Sequence, residues 1–501
     1  MPVISIDLGT TGSKAAVFEG KLVLGSAYRH YSYASPRAGW AGQQTEDVWS
    51  LVNSTVLEAV GPDGRRPPIG AVCISVQGDA IVPINSNCSA LHPAILGMDT
   101  RRHEEAGLQE AHFSRGQLYA AAGMPCEPLN AITKIWWLAQ HHPELRDQLW
   151  KCVHYGEFLL MKLAGIPALD FTMASRTMAF DPIHEDWLPE VLDFTGVTRS
   201  QLGNLAPPGV PVGIIRNAIA DECGINRNAL VVLGGHDQCM TAVGADVTEP
   251  DLACYSMGTA EVIGTCFESP RMTAQMLEAN CPCYCHAIGN RYVKITLNQS
   301  SGLSLEWFLE NVLGTGALVD AAPELRIEPP EVLFMPHLVG SGTPTCDHLS
   351  RGTFLGLSIK TGRVDMIQAV ADALAFEAQL NPETLENPDT YVGELRAVGG
   401  GARSRKMLEL KATALNRPTR TVPNREAALL GVAMLAQIDV GVFPNLGSAR
   451  DEYLEIDCTI EPNRSAVDAY SAALDRYRQL YTTLKSFYRN WSVECRTPVP
   501  A

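Results

Sequence analysis

VISIDLGTTGSKAAVFE, residues 3–19, is the stretch on which the fold turns. Val3–Asp7 is a short apolar run, Leu8–Ser13 is a Gly/Thr turn and Lys14–Glu19 is a second apolar run. The pattern predicts a tight hairpin with Asp7 at the end of its first strand. Working outward, residues 21–31 predict a third strand. Residues 45–60 carry apolar side chains at helical spacing, with Thr45 as the expected N-cap. Residues 69–77 read as a buried strand, and 79–85 (DAIVPIN) as a continuation of the same sheet. Strands, a helix and a further strand in this order favour an α/β class.

Residues 114–123, 131–145 and 156–165 repeat apolar side chains at three- and four-residue steps and predict helices. Residues 228–247 read as a buried strand, a Gly turn and a helix. A second strand–turn–strand unit follows at 252–266 (LACYSMGTAEVIGTC), and its Gly258-Thr259 repeats Gly9-Thr10 of the first hairpin. Single cores stop growing near roughly 250–300 residues, so a chain of 501 residues predicts two domains. The two similar beginnings place the division at 1–245 and 246–501. The second half continues with SRGTFLGLSI (350–359), a helix over 365–386, a strand and glycine run over 394–404, and a helix over 426–437.

Lys and Arg total 39 against 55 Asp and Glu, a net charge of −16. Such a surface repels nucleic-acid backbones and anionic lipids, which leaves a small molecule as the expected partner. No apolar run approaches the ~20 residues of a membrane span. The chain enters a strand at once, so no leader is expected. The fourteen cysteines are therefore read as reduced thiols of a cytoplasmic protein. Cys281, Cys283, Cys285 and His286 cluster in NCPCYCHAIG. A zinc reading exists, but structural zinc sites space their cysteine pairs by two or more residues. Alternate spacing suits one face of a strand, with buried packing as the favoured role.

The turn around Gly9, Thr10, Thr11, Gly12, Ser13 and Lys14 offers amides, hydroxyls and an ammonium to a phosphate, and Asp7 could hold Mg²⁺ through water. An ordinary Gly-rich hairpin remains the alternative, and no G-x-x-x-x-G-K-[ST] spacing is present. Gly399-Gly400-Gly401-Ala402-Arg403-Ser404 follows a strand but lacks the third glycine of a dinucleotide fingerprint. In Gly234-Gly235-His236-Asp237-Gln238, a carboxylate between a Gly turn and a helix could accept a proton from a hydroxyl. It could equally be a helix N-cap, and a His236/Asp237 dyad is disfavoured because adjacent side chains rarely pair. Gln77-Gly78-Asp79 and Asp99-Thr100-Arg101 follow strands and carry groups that match polyol hydroxyls, as surface turns also do.

In this order the motifs resemble the FGGY family of carbohydrate kinases, from the Asp7 hairpin to REAALLGVAMLAQ (425–437). The resemblance implies two ribonuclease-H-like (actin/hexokinase-type) domains with ATP and sugar in a central cleft. DLGTTGSK is similar to the first phosphate hairpin, with Lys14 where several members have Arg. SMGTAE is similar to the second, which implies Gly258 and Thr259 near the phosphates. GGGARSR is similar to the adenosine loop, which implies Gly400, Gly401 and Arg405 beside the nucleoside. Gly302 and Glu306 in SSGLSLEWF match positions that line the nucleotide site, and Asp237 matches the general base. AITKIWWLAQHHPEL resembles the first family signature around Lys134 and Trp137 but departs at Leu129 and Ala131. GTFLGLSIKTGRVDMIQAVAD resembles the second and departs at Ala371.

The implied reaction is transfer of the γ-phosphoryl of MgATP to a terminal hydroxyl, with substrate contacts from Gln77, Gly78, Asp79, Asp99, Asp237 and Gln238. Xylulokinases typically show Gln-Met-His at positions 77–79 and glycerol kinases Gln-Arg-Glu. The acid at 79 beside a glycine points to a pentulose or a related ketose or polyol. Glycerol or gluconate kinase is the alternative, and a homodimer is left open. A non-catalytic sensor on the same fold and an actin-like or chaperone ATPase are the rivals. Asp7, Asp237 and both Gly-Thr turns speak against the first, and the segments FLGLSI and TKIWWL against the second.

Overall fold

The computed structural model describes residues 1–37, 39–61, 67–314, 325–386, 391–422, 426–454 and 456–494; Arg425 of the last matched segment lies outside them. The hairpin forms as expected, from β1 (Val3–Leu8) and β2 (Gly12–Glu19) in antiparallel register, with Leu8 opposite Ser13. β3 (Leu22–His30) extends it at the sheet edge. On the other side of β1 run β4 (Ala71–Val76) and β6 (Leu230–His236), both parallel, and then antiparallel β5 (Pro211–Ile214). The sheet order is β5-β6-β4-β1-β2-β3.

The second sheet repeats this plan. β7 (Leu252–Met257) and β8 (Glu261–Phe267) form its hairpin, followed outward by antiparallel β10 (Tyr292–Asn298) and β9 (Cys283–Cys285). On the far side of β7 lie β11 (Glu394–Val398) and β12 (Thr419–Thr421), both parallel, and antiparallel β13 (Cys458–Ile460). A run of three antiparallel strands joined to two parallel ones thus occurs in both sheets, with β9 added at the edge of the second, as two units from one plan would give.

Two expectations change. Residues 81–84 do not continue the first sheet but pair in a separate four-stranded one. The cause is Asp79, whose φ of 63° turns the chain out of the sheet directly after β4. Thr45 is the first residue of helix α1 (Thr45–Val60) rather than its cap, and its side chain is turned into the core.

Helix α5 (Asp237–Gly244) leaves β6 toward the second half, and α9 (Ala427–Asp439) returns from the second half onto the first sheet. The two helices cross backbone to backbone. A Cβ on Gly431 would fall on the carbonyl oxygen of Met240, and one on Gly244 on that of Ala427. Gln437 then donates to the Gly20 carbonyl at 3.1 Å. The junction between halves is therefore a pair of tightly packed helices with glycine at each contact point.

Cys281, Cys283 and Cys285 are all buried, and burial pushes the Cys281 and Cys285 thiols up to about 12. Cys281 and Cys283 pack in the second core, whereas Tyr284 and Cys285 join the first. This edge strand is clamped to the first half. Tyr119 Oη donates to the Cys281 carbonyl at 2.7 Å, and the Cys283 amide donates to the Gly123 carbonyl at 2.8 Å.

Candidate active site

In the first hairpin the turn carbonyls all point into the protein. Tyr31 Oη donates to Gly9 O (2.6 Å) and Gly12 O (3.0 Å), and the Tyr31 amide donates to Thr11 O (2.9 Å). Gln43 donates to Thr10 O at 3.0 Å. With the carbonyl oxygens occupied from behind, the turn can present amides to an anion without opposing partial charges. Gln77 also belongs to this brace. Its amide donates to Gly9 O (3.3 Å) and accepts from Thr10 Oγ1 (3.0 Å), so its side chain orders the turn rather than facing a sugar. Ser13 is corrected as well. Strand alternation turns its hydroxyl into the sealed core, while Lys14 faces outward and pairs with Glu426.

Asp7 accepts a 2.8 Å hydrogen bond from Ser75 Oγ. Burial raises its pKa, the Lys14 charge opposes the rise and the Glu426 charge adds to it. A cavity of about 640 Å³ opens over Asp7, Gly9, Thr11, Lys14 and Glu426, within the size range of ligand sites.

The second hairpin is tied to helix α6 (Ser301–Asn311), whose Leu303 amide donates to Thr259 O at 3.0 Å. Gly302 makes this approach geometrically available, since a Cβ there would fall on the Gly258 carbonyl oxygen. The 399–401 glycines run against the end of the same hairpin. Gly399 has a φ of 84°, and a Cβ on Gly401 would sit 2.9 Å from Met257 Cβ, whereas Gly400 faces open space. Gly258, Thr259, Gly302, Gly400 and Gly401 are thus brought together. Glu306 lies one turn further along α6 and is exposed, and Arg405 is exposed and paired with Glu409 at 3.0 Å.

Asp237 stands at the first position of α5, placed there by Gly234-Gly235. A Cβ on Gly234 would fall on the Ile74 carbonyl, and one on Gly235 would lie 2.7 Å from Thr172 Oγ1. The two glycines allow an irregularity in the β6–β4 register that turns the strand end. The Asp237 pKa is pushed up to about 7 by burial first and by the Asp7 charge second; Gln238 and Arg176 oppose the rise. Two carboxylates that feel each other's charge disfavour each other's ionisation.

The expected wall residue Asp79 is buried and accepts a hydrogen bond from Arg176. Lys134 is fully buried and donates to the Asp79 carbonyl; burial holds its pKa well below the ordinary value. Gly78 leaves room for both neighbours. A Cβ there would be 3.0 Å from His236 Nε2 and 3.2 Å from Arg176 Nε. Glu127, pushed up by burial, accepts from Asn280 of the second half and feels the charges of Arg176 and Asp79. Asp99 does not face this pocket. Its fully buried carboxylate is consumed by the Ala41 amide (2.7 Å) and by Arg101 and Arg102, pairing that holds its pKa low despite burial. Arg101 in turn stacks over Trp40 at 3.7 Å.

The Asp7 hairpin with the raised-pKa carboxylate of Asp237 near it, and a second hairpin of the same plan, form the arrangement that comparison with known proteins meets. The model of the FGGY carbohydrate kinase N-terminal domain matches residues 2–244, and that of the C-terminal domain matches 253–439. The chain belongs to the FGGY family of carbohydrate kinases. This kinase is 25% identical over 493 residues to a xylulose kinase of Staphylococcus epidermidis, covering 96% of this chain and 97% of the relative. A solved xyloylose kinase from Brucella ovis superposes with a TM-score of 0.89 at 26% identity, covering 97% of this chain and all of that one (100%). The ligand-bound xylulose kinase of Lactobacillus acidophilus shares the fold, with a TM-score of 0.91 at 22% identity and coverage of 98% and 99%.

Arg176 and Tyr284 of the kinase carry no motif that reading the chain alone would single out. Glu426 lies within the matched segment 425–437, and its position before an apolar helix is the one signal that could have marked it as a site residue. Arg176 sits in TMASRTMAF without periodicity, and Tyr284 is hidden among cysteines.

Proposed function

We propose that this kinase transfers the γ-phosphoryl group of ATP to a terminal hydroxyl of a pentulose of the xylulose type, or a closely related ketose or polyol. The observation that carries the reading is Asp237. It is a carboxylate whose pKa is pushed up to about 7, and it feels the charges of Asp7 in the first hairpin and of Arg176, the partner of Asp79. A base works best with its pKa near the working pH. The relatives named xylulose kinase support the ketose.

In this reading Asp237 accepts the proton of the attacking hydroxyl while that oxygen bonds to the γ-phosphorus. The bond from that phosphorus to the bridging oxygen breaks, ADP leaves, and the proton passes from Asp237 to solvent. The amides around Thr10 and Thr11 and the Lys14 ammonium meet the spreading charge, with Gly258 and Thr259 on the opposite side. Gly302, Glu306, Gly400, Gly401 and Arg405 border the nucleoside. Gly78, Asp79, Gln238 and Arg176 meet the sugar.

The chain's own charges fit Mg²⁺. Asp7 feels the repulsion of Glu426, Asp237 feels that of Asp7, and such mutual repulsion suits a divalent cation. When bound it neutralises phosphate charge, with Asp7 the residue that would hold it through water. The start of the second hairpin at Leu252 supports the division near residue 245, with α9 crossing back to pack on the first sheet. The net charge supports a soluble cytoplasmic enzyme without nucleic-acid or membrane partners. The exposed row Leu355, Leu357 and Ile359 supports a homodimer.

A coupled ADP-release screen over ketoses, alditols and aldonates tests the assignment. D-xylulose or a neighbouring ketose is expected to turn over fastest; turnover with glycerol or gluconate alone would overturn it.

A further inference from the structure

We propose that His236, held by Tyr284 from the opposite half of the molecule, is the positioning residue that orients Asp237. The inference rests on Asp237 being the base.

His236 Nε2 lies 3.2 Å from Asp237 Oδ1, and His236 Nδ1 lies 3.0 Å from Tyr284 Oη. A neutral imidazole has one donor and one acceptor nitrogen. An ionised carboxylate can only accept, so the ring proton belongs on Nε2, the nitrogen beside Asp237, and Nδ1 is then the acceptor for the Tyr284 hydroxyl. Asp237 Oδ1 then stands beside that N–H as a close charge–dipole contact rather than an aligned hydrogen bond, and the proton-accepting role falls to Oδ2. Burial keeps His236 well below its ordinary pKa, so the ring stays a donor and does not compete for the substrate proton.

Adjacent side chains seldom meet in this way, and the backbone explains why these do. His236 is the N-cap of α5, with φ −58° and ψ 132°, and Asp237 is the first helical residue. The His236 amide donates to Thr172 Oγ1 at 2.8 Å, which fixes the strand end. The ring is confined by Gly78, where a Cβ would approach Nε2 to 3.0 Å. Tyr284 is equally fixed. It lies on β9 between Cys283, bonded to Gly123 O at 2.8 Å, and Cys285, whose amide donates to Ser175 Oγ at 3.4 Å. A residue of the second sheet thereby sets the orientation of a base carried by the first. The base is oriented only while the halves keep this contact.

The test combines a double-mutant cycle with a tautomer measurement. His236→Ala is expected to lose about 100-fold in kcat for the ketose, the size of effect that misplacing a reacting group produces, with KM for ATP within about twofold. Tyr284→Phe is expected to lose about tenfold, the loss of one neutral hydrogen bond. In the His236→Ala background Tyr284→Phe should cost nothing more, because the tyrosine acts through the ring. His236→Gln, which restores an N–H donor, should recover about tenfold over His236→Ala. Unchanged kcat in His236→Ala, or losses that add in the double variant, overturn the proposal. Nitrogen NMR of the histidine-labelled wild type without substrate should report an Nε2–H tautomer that is perturbed in Tyr284→Phe; an Nδ1–H tautomer overturns it. A wild type that turns over no ketose, polyol or aldonate refutes the assignment of the base, and the tautomer still decides the contact.

Discussion

Arg176, immediately after the short helix Phe171–Ser175, hydrogen-bonds the carboxylate of Asp79 from 97 positions away, with side-chain exposures of 15% and 3%. Removing one partner of a buried ion pair leaves the other uncompensated, at a cost of about 3–5 kcal/mol. Arg176→Met is therefore expected to unfold at clearly lower temperature in a thermal melt. Arg176→Lys keeps the charge but loses the planar fork. It should fold, raise KM for the ketose by about 10–100-fold, the scale of one or two lost charge-assisted hydrogen bonds, and leave KM for ATP unchanged. An unaltered ketose KM in the Lys variant would remove Arg176 from sugar recognition.

Asp237→Asn separates chemistry from stability. Losing a general base costs about 10²–10⁴ in kcat, while nucleotide binding, measured by calorimetry, should persist. The same change should raise thermal stability near pH 7. Asp237 is pushed up to about 7 in the folded protein from an ordinary 3.8, so ionisation opposes folding. Relieving it is worth on the order of 1–3 kcal/mol, discounted for the partial exposure of the side chain. A variant that melts lower than wild type at neutral pH contradicts this.

The pH dependence follows from the same group. A carboxylate whose folded pKa is raised binds its proton more tightly when folded. Its contribution to stability is therefore most favourable below about pH 4, where both states are protonated, and is lost as pH rises toward 7. Activity runs the opposite way, because the base must be ionised. The acidic limb of kcat/KM is expected to bend near pH 7 rather than near pH 4, and Asp237→Asn should abolish that bend while leaving the residual rate flat. A limb centred below about pH 5 would remove Asp237, with its raised pKa, as the titrating base of the free enzyme.

Much of this molecule is legible from residue order. Both hairpins, the α/β class, the glycine pair before Asp237 and the family follow from short patterns, because a hairpin and a close helix approach each demand local residue types. What the sequence hides is where a side chain spends its hydrogen bonds. Asp99 resembles a ligand until Arg101, Arg102 and the Ala41 amide are seen to consume it. Ser13 resembles a phosphate ligand until strand alternation buries it. Arg176 becomes meaningful only when the left-handed turn at Asp79 swings that carboxylate toward it. Those are contacts between distant segments, and no periodicity encodes them.

Gly302 and Gly400 offer a paired test of the nucleotide side, since both are glycines beside the second hairpin but for different reasons. A Cβ at 302 would fall on the Gly258 carbonyl, a main-chain atom of a hairpin that the Leu303–Thr259 hydrogen bond pins at 3.0 Å. Gly302→Ala must therefore push α6 and the hairpin apart. Overpacking of this kind costs about 1–3 kcal/mol, so the melt should fall and KM for ATP should rise together. A Cβ at 400 meets nothing within 4 Å, and Gly400 is not among the glycines with positive φ. Gly400→Ala should leave the melt unchanged within about 0.5 kcal/mol. Its effect on KM for ATP then reports a nucleoside lying over the loop, free of any folding defect. If Gly400→Ala leaves that KM untouched, the nucleoside does not rest against the 399–401 loop.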